Sequence, residues 1–160
     1  MTRPAILVLV LAALGGGCGD NPSGPSTPPL VFSAVLSPAN EVPPVGNAES
    51  TGRGAVQVSF DGTTAHFYFQ LTAFPSDTRI SGAHIHPGAA GVNGPVVLST
   101  GIVSAAPVAL QDGTVEFKAS VPVDAALVQA IAANPAGYYF NVHSPLNPGG
   151  FARGQLTRVQ

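Results

Sequence analysis

The sequence predicts an all-β domain, an antiparallel β-sandwich or flattened Greek-key barrel of about eight or nine strands with one short helix. Apolar residues alternate with polar ones along much of the chain, which is the pattern of strands with one buried face. Asp61-Gly62 and Asp112-Gly113 each stand between two such runs, and an Asp-Gly pair there favours a tight hairpin turn. Only 9% of the residues are charged, so neutral polar side chains must cover the surface.

The predicted elements follow one another from residue 31 onward. The strand-like runs are 31–36, 56–60, 67–71, 80–86, 96–100, 108–110, 115–121, 138–143 and 152–157. The exception is 124–134, where Leu127, Ala130, Ile131 and Asn134 recur at helical spacing. Asp124 is the predicted N-cap of this helix, and the proline after Asn134 ends it.

The N-terminus has the features of an export signal. Arg3 precedes an apolar run over 5–14, which is shorter than the roughly 20 residues that span a bilayer. Leu14-Gly15-Gly16-Gly17-Cys18 follows and resembles the lipobox of bacterial lipoproteins, although the leucine usually lies three residues before the cysteine. The resemblance implies a signal peptide over 1–17 and lipidation of Cys18.

An ordinary secretory signal with an incidental cysteine is the alternative. Cys18 is the only cysteine in the chain, so it has no partner for an internal disulfide. The segment 19–29 contains Pro, Ser and Gly but no apolar residue to bury, which predicts a disordered tether over 18–29. We therefore expect an exported lipoprotein of the cell envelope, held at a membrane by the lipid on Cys18, with its folded domain over 30–160.

The charge balance argues against a nucleic-acid partner. The chain has 6 Lys and Arg residues against 8 Asp and Glu residues, which gives a formal net charge of −2. Proteins that bind nucleic acid present a basic surface to the phosphates, and no segment of this sequence offers one.

Three of the four histidines lie in two short β-patterned runs that end in Pro/Gly-rich sequence. His84 and His86 are two residues apart and share a strand face, while Ile85 points the other way. The same parity places His143 opposite Val142. We therefore expect these three imidazoles to lie outside the apolar core, at a surface site.

Three neutral imidazoles would suit copper or zinc and leave one coordination position open. Their nitrogens should then lie within about 4 Å of one another. Glu41 is the carboxylate best placed in the sequence to join them, and Arg153 is expected to clamp Glu41 or a backbone carbonyl. The alternative is that the histidines hydrogen-bond the glycine-rich loops 88–94 and 147–150. His66, on the polar side of another strand, is predicted to be a surface residue.

Three long motifs carry a family resemblance: LSPANEVPPV from Leu36, AHIHPGAAGVNGPV from Ala83, and YFNVHS from Tyr139 followed by NPGGFARGQL from Asn147. In composition, order and spacing they resemble the chordin-type (CHRD) domain. The family usually has Glu-Ile where this chain has Phe-Ala before Arg153, so a carboxylate expected there is missing. In animals the domain occurs in chordin, an extracellular growth-factor antagonist, while bacterial members are exported proteins, frequently lipoproteins. The resemblance therefore implies fold and location and names no growth-factor partner for this chain.

The leading functional hypothesis is a lipid-anchored, extracytoplasmic binding or scaffold module whose protein partner the sequence does not name. The alternative is a mononuclear copper or zinc site at His84, His86 and His143, with a metal-binding or redox role. The His-X-His strand resembles the copper-binding strand of copper/zinc superoxide dismutases, but this chain lacks their disulfide cysteines and histidine-rich zinc loop. No nucleophile–base pair or phosphate loop is recognisable, so the sequence favours a binding protein over an enzyme.

Overall fold

The computed structural model describes residues 28–159. The predicted signal peptide over 1–17, the predicted lipidation site Cys18 and most of the predicted tether over 18–29 lie outside the described residues. Over the described range, no helix has both the length and the apolar character that crossing a membrane would require.

The strands and the helix follow the predicted order. The strands are β1 (Leu30–Leu36), β2 (Arg53–Asp61), β3 (Thr64–Thr72), β4 (Arg79–Ile80), β5 (Gly82–Pro87), β6 (Leu98–Ser99), β7 (Val108–Ala109), β8 (Val115–Pro122), β9 (Tyr138–His143), β10 (Ala152–Gln155) and β11 (Thr157–Arg158). The helix is α1 (Ala125–Ala133), and short 3-10 helices occupy Pro38–Asn40, Ala48–Thr51 and Pro135–Gly137.

The strands form two main antiparallel sheets that pack face to face. One sheet has the order β11-β1-β2-β3-β8 and the other β10-β9-β5-β6, while β4 and β7 form a small separate pair. Phe67 and Phe69 of the first sheet meet Phe140 of the second, with ring centroids 5.9 and 5.6 Å apart. Both sheets are open, so the sandwich is confirmed and the barrel form is not adopted.

Over residues 28–159 the structure has eleven strands where about eight or nine were predicted, because two of the predicted runs change sheet partway along. The run 80–86 is interrupted at Ser81, before which β4 pairs with β7 and after which β5 pairs with β9. The run 152–157 is interrupted at the buried Leu156, where the chain passes from β10 in one sheet to β11 beside β1 in the other. Such switches form the corners of β-sandwiches, and they raise the count to eleven.

The two Asp-Gly pairs have different outcomes. The first closes the β2–β3 hairpin, in which Asp61 pairs with Thr64 and Gly62 has a φ of 57°. The second forms a tight turn bridged by Gln111 and Thr114, but the strands beyond it separate: β7 pairs with β4, and β8 pairs with β3. The turn was therefore predicted correctly and the second hairpin was not.

Helix α1 begins and ends close to the predicted residues. The Asp124 side chain accepts a hydrogen bond from the backbone N–H of Ala126 at 2.7 Å, as an N-cap does. The buried face differs from the predicted one, since Val128 and Ile131 are buried while Ala130 is exposed. Its packing against the sandwich, rather than the exact sequence spacing, selects this face.

Candidate metal centre

The three histidines lie together on the outer face of the four-stranded sheet. His84 and His86 project from β5, and His143 projects from the neighbouring strand β9. Ile85 and Val142 point the other way and are fully buried in the core. The outer face is nevertheless covered by loops, because His86 is only 6% exposed. The site is therefore more enclosed than the surface site that the sequence predicts.

The histidine cluster, defined as His84, His86 and His143, is compact. The ring centroids of His84 and His143 are 4.9 Å apart. The ring centroid of His86 lies 5.8 Å from that of His84 and 5.9 Å from that of His143. One nitrogen of each ring lies within 4.8 Å of those of the other two. The structure thus brings the three rings together, although this limit is wider than the expected 4 Å.

Hydrogen bonds to the covering loops fix the tautomers of two rings. His86 Nδ1 lies 2.9 Å from the carbonyl oxygen of Gly94, and His143 Nδ1 lies 3.0 Å from that of Pro148. Because a carbonyl only accepts, both Nδ1 atoms must carry the proton, and each Nε2 of the neutral ring then has a free lone pair. Both Nε2 atoms, and Nδ1 of His84, are buried and have no hydrogen-bond partner.

The surroundings keep all three rings neutral. Burial, and after it the neighbouring His143 and His86, lowers the pKa of His84 to about 4. Burial is also the main cause of the lowered pKa of His86 and His143, which outweighs the carbonyl hydrogen bonds that raise it. The neutral ring is the form of histidine that ligates a metal.

Two glycines make room for this arrangement. Gly82 lies opposite His143 in the β5–β9 ladder, and a Cβ there would lie only 2.8 Å from Cε1 of His84. A Cβ on Gly94 would collide with the backbone carbonyl of Pro87, so the loop that binds His86 could not follow its present path. Position 94 therefore needs glycine for steric reasons, and any other residue at position 82 would require the His84 ring to move.

Glu41 does not join the cluster, which contains no carboxylate. Arg153 Nε lies 3.4 Å from Oε2 of Glu41, and both side chains are 3% exposed. The Asn141 amide donates to both carboxylate oxygens of Glu41 at 3.0 Å. Burial raises the pKa of Glu41 to about 7, although Arg153 and Asn141 both act to lower it. The expected Glu41 ligand is thus replaced by an ion pair beside the site.

Arg153 also connects this ion pair to the histidine cluster. Its guanidinium group reaches three neighbours: Cζ lies 3.8 Å from the ring centroid of Tyr139, Nη1 donates to the Val92 carbonyl at 3.3 Å, and Nη2 donates to Asn93 Oδ1. Tyr139 in turn stacks on His86, with centroids 4.9 Å apart and an interplanar angle of 3°. Its hydroxyl accepts from the N–H of Gly94 at 3.1 Å, the residue whose carbonyl binds His86.

Sequence reasoning missed Tyr139 and Asn141, although a signal for them exists. Both lie at even spacing from His143 on β9, so the parity that places this histidine outside the core places them beside it. It also missed Glu49, a buried carboxylate that accepts hydrogen bonds from Ser144 Oγ at 2.6 Å and Asn147 Nδ2 at 2.5 Å. Glu49 thereby holds the loop whose Pro148 carbonyl binds His143.

The fourth histidine lies elsewhere. His66 is exposed on β3, in the other sheet, and its Nδ1 lies 2.8 Å from Ser120 Oγ. It is a natural control residue for experiments on the cluster.

The shifted pKa values predict how the stability of the metal-free protein depends on pH. The folded-state pKa values of the cluster lie below the unfolded value of 6.5, so the unfolded state binds more protons and stability falls as the pH drops below about 6.5. Glu41 has the opposite sign, because its folded pKa of about 7 exceeds 4.5, and its contribution is lost as the pH rises through about 7. The three histidines together outweigh Glu41 below pH 6.5, so we expect maximal stability near pH 6.5.

Urea unfolding with a chelator, at a series of pH values, measures this profile. Each fully shifted group contributes a slope of about 1.4 kcal/mol per pH unit, and exposure of the rings reduces it. His84→Gln should flatten the acid limb, whereas His66→Gln should leave it unchanged. A wild-type protein that gains stability on acidification from pH 6.5 to 4.5 would contradict the prediction.

Comparison with known proteins identifies the family of this chain. A search of curated protein sequences finds no match. The family model of the CHRD domain matches residues 32–156, which takes in every strand of the four-stranded sheet, all three clustered histidines and the Glu41–Arg153 pair. The chain belongs to the CHRD domain family.

Proposed function

We propose that this protein is an exported, lipid-anchored CHRD domain that binds a single copper or zinc ion through His84, His86 and His143. One observation carries the metal site: His86 and His143 each direct Nδ1 to a backbone carbonyl, and one nitrogen of each of the three rings lies within 4.8 Å of the others. A hydrogen bond from one ring nitrogen to a carbonyl, with the other nitrogen free, is the usual state of a metal-ligating histidine.

The scaffold hypothesis accounts for only part of this geometry. It explains the two Nδ1 bonds, since both hold loops against the sheet. It does not explain why three buried ring nitrogens lack a hydrogen-bond partner. Each unpaired buried atom lowers the stability of the fold by about 1–3 kcal/mol. With the His84 proton on Nε2, a metal ion would accept all three lone pairs at once, so the metal site explains more of the observed arrangement.

Binding would draw the rings together. Two nitrogens bonded to one ion at about 2.1 Å are separated by at most about 4.2 Å, which is less than the present limit of 4.8 Å. Because β5 and β9 are hydrogen-bonded neighbours, small rotations of the side chains suffice and the sheet need not move. Because the ligand nitrogens are buried, the site is better suited to holding an ion than to catalysing a reaction at the ion.

Metal titration of tag-free, metal-stripped protein tests the site. We expect the wild type to bind one equivalent of copper or zinc, His84→Ala/His86→Ala to bind none saturably, and His66→Ala to match the wild type. Calorimetry gives the stoichiometry, and circular dichroism verifies that each variant is folded. Stoichiometric binding by the double variant would refute the site, and absence of binding by the wild type would leave the histidines as residues that order the loops.

The anchor is supported by the sequence alone, through the apolar run over 5–14 and the lone cysteine that follows it. Labelled palmitate should enter the wild-type protein and partition with membranes, while Cys18→Ala should remain unlabelled. Cys18→Ser provides a second unlabelled control. Incorporation of palmitate into the Cys18 variants would exclude the anchor without affecting the metal site.

A further inference from the structure

We propose that the histidine cluster selects monovalent copper over Zn²⁺ and other divalent ions. This inference rests on the proposed metal site and adds the identity and charge of its ion. It follows from the charge of the surroundings and from the number of available ligands.

The donor set carries no negative charge. All three ligands are neutral imidazoles, and the cluster contains no carboxylate. Two charged side chains beside the cluster, Glu41 and Arg153, pair with each other. The ligands would therefore not neutralise any of the charge of a divalent ion in this partly enclosed site. The desolvation cost of an ion grows with the square of its charge, so this cost is about fourfold larger for a divalent ion than for a monovalent ion of equal size.

The stacked side chains add a positive bias. Arg153 Cζ lies 3.8 Å from the centroid of Tyr139, and Tyr139 stacks on His86 in a nearly parallel arrangement. The guanidinium is thus one aromatic ring away from a ligand, and it also pairs with Glu41, to which the Asn141 amide donates. Repulsion by the guanidinium is twice as large for a divalent ion as for a monovalent one at the same distance.

The number of ligands points the same way. Three neutral donors satisfy Cu(I), because its single charge needs fewer donor atoms than the double charge of a divalent ion. Protein zinc sites are almost always four-coordinate, with water completing a set of three protein ligands. Here Nε2 of His86 and Nε2 of His143 are buried, which limits the access of solvent as a fourth ligand.

Ser99 offers a way to change the charge without touching a ligand. It lies on the edge strand β6, directly opposite His84 in the ladder, and is half-buried. Residues directly opposite on antiparallel strands share a face, so Ser99→Asp adds a carboxylate beside the cluster. Its hydroxyl oxygen accepts a hydrogen bond from the N–H of Gly101 at 3.1 Å. An Asp or Asn side-chain oxygen can accept the same hydrogen bond. Ser99→Asn is the uncharged control of matched size.

The test compares affinities for Cu(I) and Zn²⁺ in the wild type, Ser99→Asp and Ser99→Asn. Cu(I) is measured anaerobically with ascorbate against bicinchoninate, and Zn²⁺ against a chromophoric chelator. We expect the wild type to bind Cu(I) at least about 100-fold more tightly than Zn²⁺. Ser99→Asp should reduce this ratio about tenfold or more, and Ser99→Asn should leave it unchanged.

The outcomes separate this inference from the proposed function. If the wild type binds Zn²⁺ as tightly as Cu(I), or if the Asp and Asn variants change the ratio equally, the selectivity is refuted while the metal site stands. If neither ion binds, both fail. A reduction potential of the copper-loaded protein above that of aqueous copper, lowered by Ser99→Asp alone, would give independent support.

Discussion

Replacement of Arg153 by Met should lower the free energy of unfolding by about 3–5 kcal/mol at pH 8, because it leaves the buried carboxylate of Glu41 without its cation. Both side chains are almost fully buried. The variant also loses the bonds to Val92 and Asn93 and the contact with the Tyr139 ring. Equilibrium unfolding in urea gives the difference directly.

The pH dependence of this loss identifies its cause. Arg153 holds down the pKa of Glu41, which is already raised to about 7, so the pKa rises further in the variant and the carboxyl is protonated at pH 5.5. The penalty should therefore be smaller at pH 5.5 than at pH 8. Glu41→Gln in the Arg153→Met background should recover part of the loss, and Arg158→Met, on the exposed strand β11, should change stability by less than about 0.5 kcal/mol. A penalty independent of pH would indicate that only packing was lost.

Phe140→Ala should cost about 3–5 kcal/mol, because it opens a cavity where the two sheets meet. Phe140 is fully buried and contacts both Phe67 and Phe69 across the sandwich. We expect a folded but much less stable protein, whose urea midpoint falls while its denaturant slope is retained.

The control for this experiment is Val35→Ala on β1. Val35 is 76% exposed, so its truncation should change stability by less than about 0.5 kcal/mol. Because Phe140 points away from the histidine cluster, the folded Phe140→Ala protein should bind metal with the stoichiometry of the wild type. Loss of metal binding under conditions in which the variant is folded would show that the two faces of β9 are not independent.

The alternating pattern predicted most of the strands because alternation is a local property of the chain. The changes of sheet at Ser81 and Leu156 could not be predicted in the same way. A run such as 80–86 keeps its local pattern on both sides of the break, and only its distant partners, β7 and β9, reveal that two sheets are involved. The separation of β7 from β8 after Asp112-Gly113 has the same origin, since turn chemistry does not determine which strands pair beyond the turn.

The histidine cluster was predictable in part for the same reason. Parity on β5 and β9 places three imidazoles on one face, and the same rule applied to β9 would have added Tyr139 and Asn141. The enclosure of His86 and the tautomers of the rings depend on the path of the loops, which the sequence does not specify. The assignment of Glu41 as a ligand failed because its position relative to Arg153 and Asn141 depends on contacts between residues about 100 positions apart in sequence.

The small size of Gly82 has a consequence for related chains. Any larger residue at this position would press against the ring of the histidine two residues later, whatever its backbone preference. Glycine there, with histidines two and four residues on, therefore forms a composite signature that can be read from sequence alone. Members of the family with this signature and the β9 histidine should be able to gather three imidazoles, while members with a bulkier residue there should carry a different side-chain arrangement on the same face of the sheet.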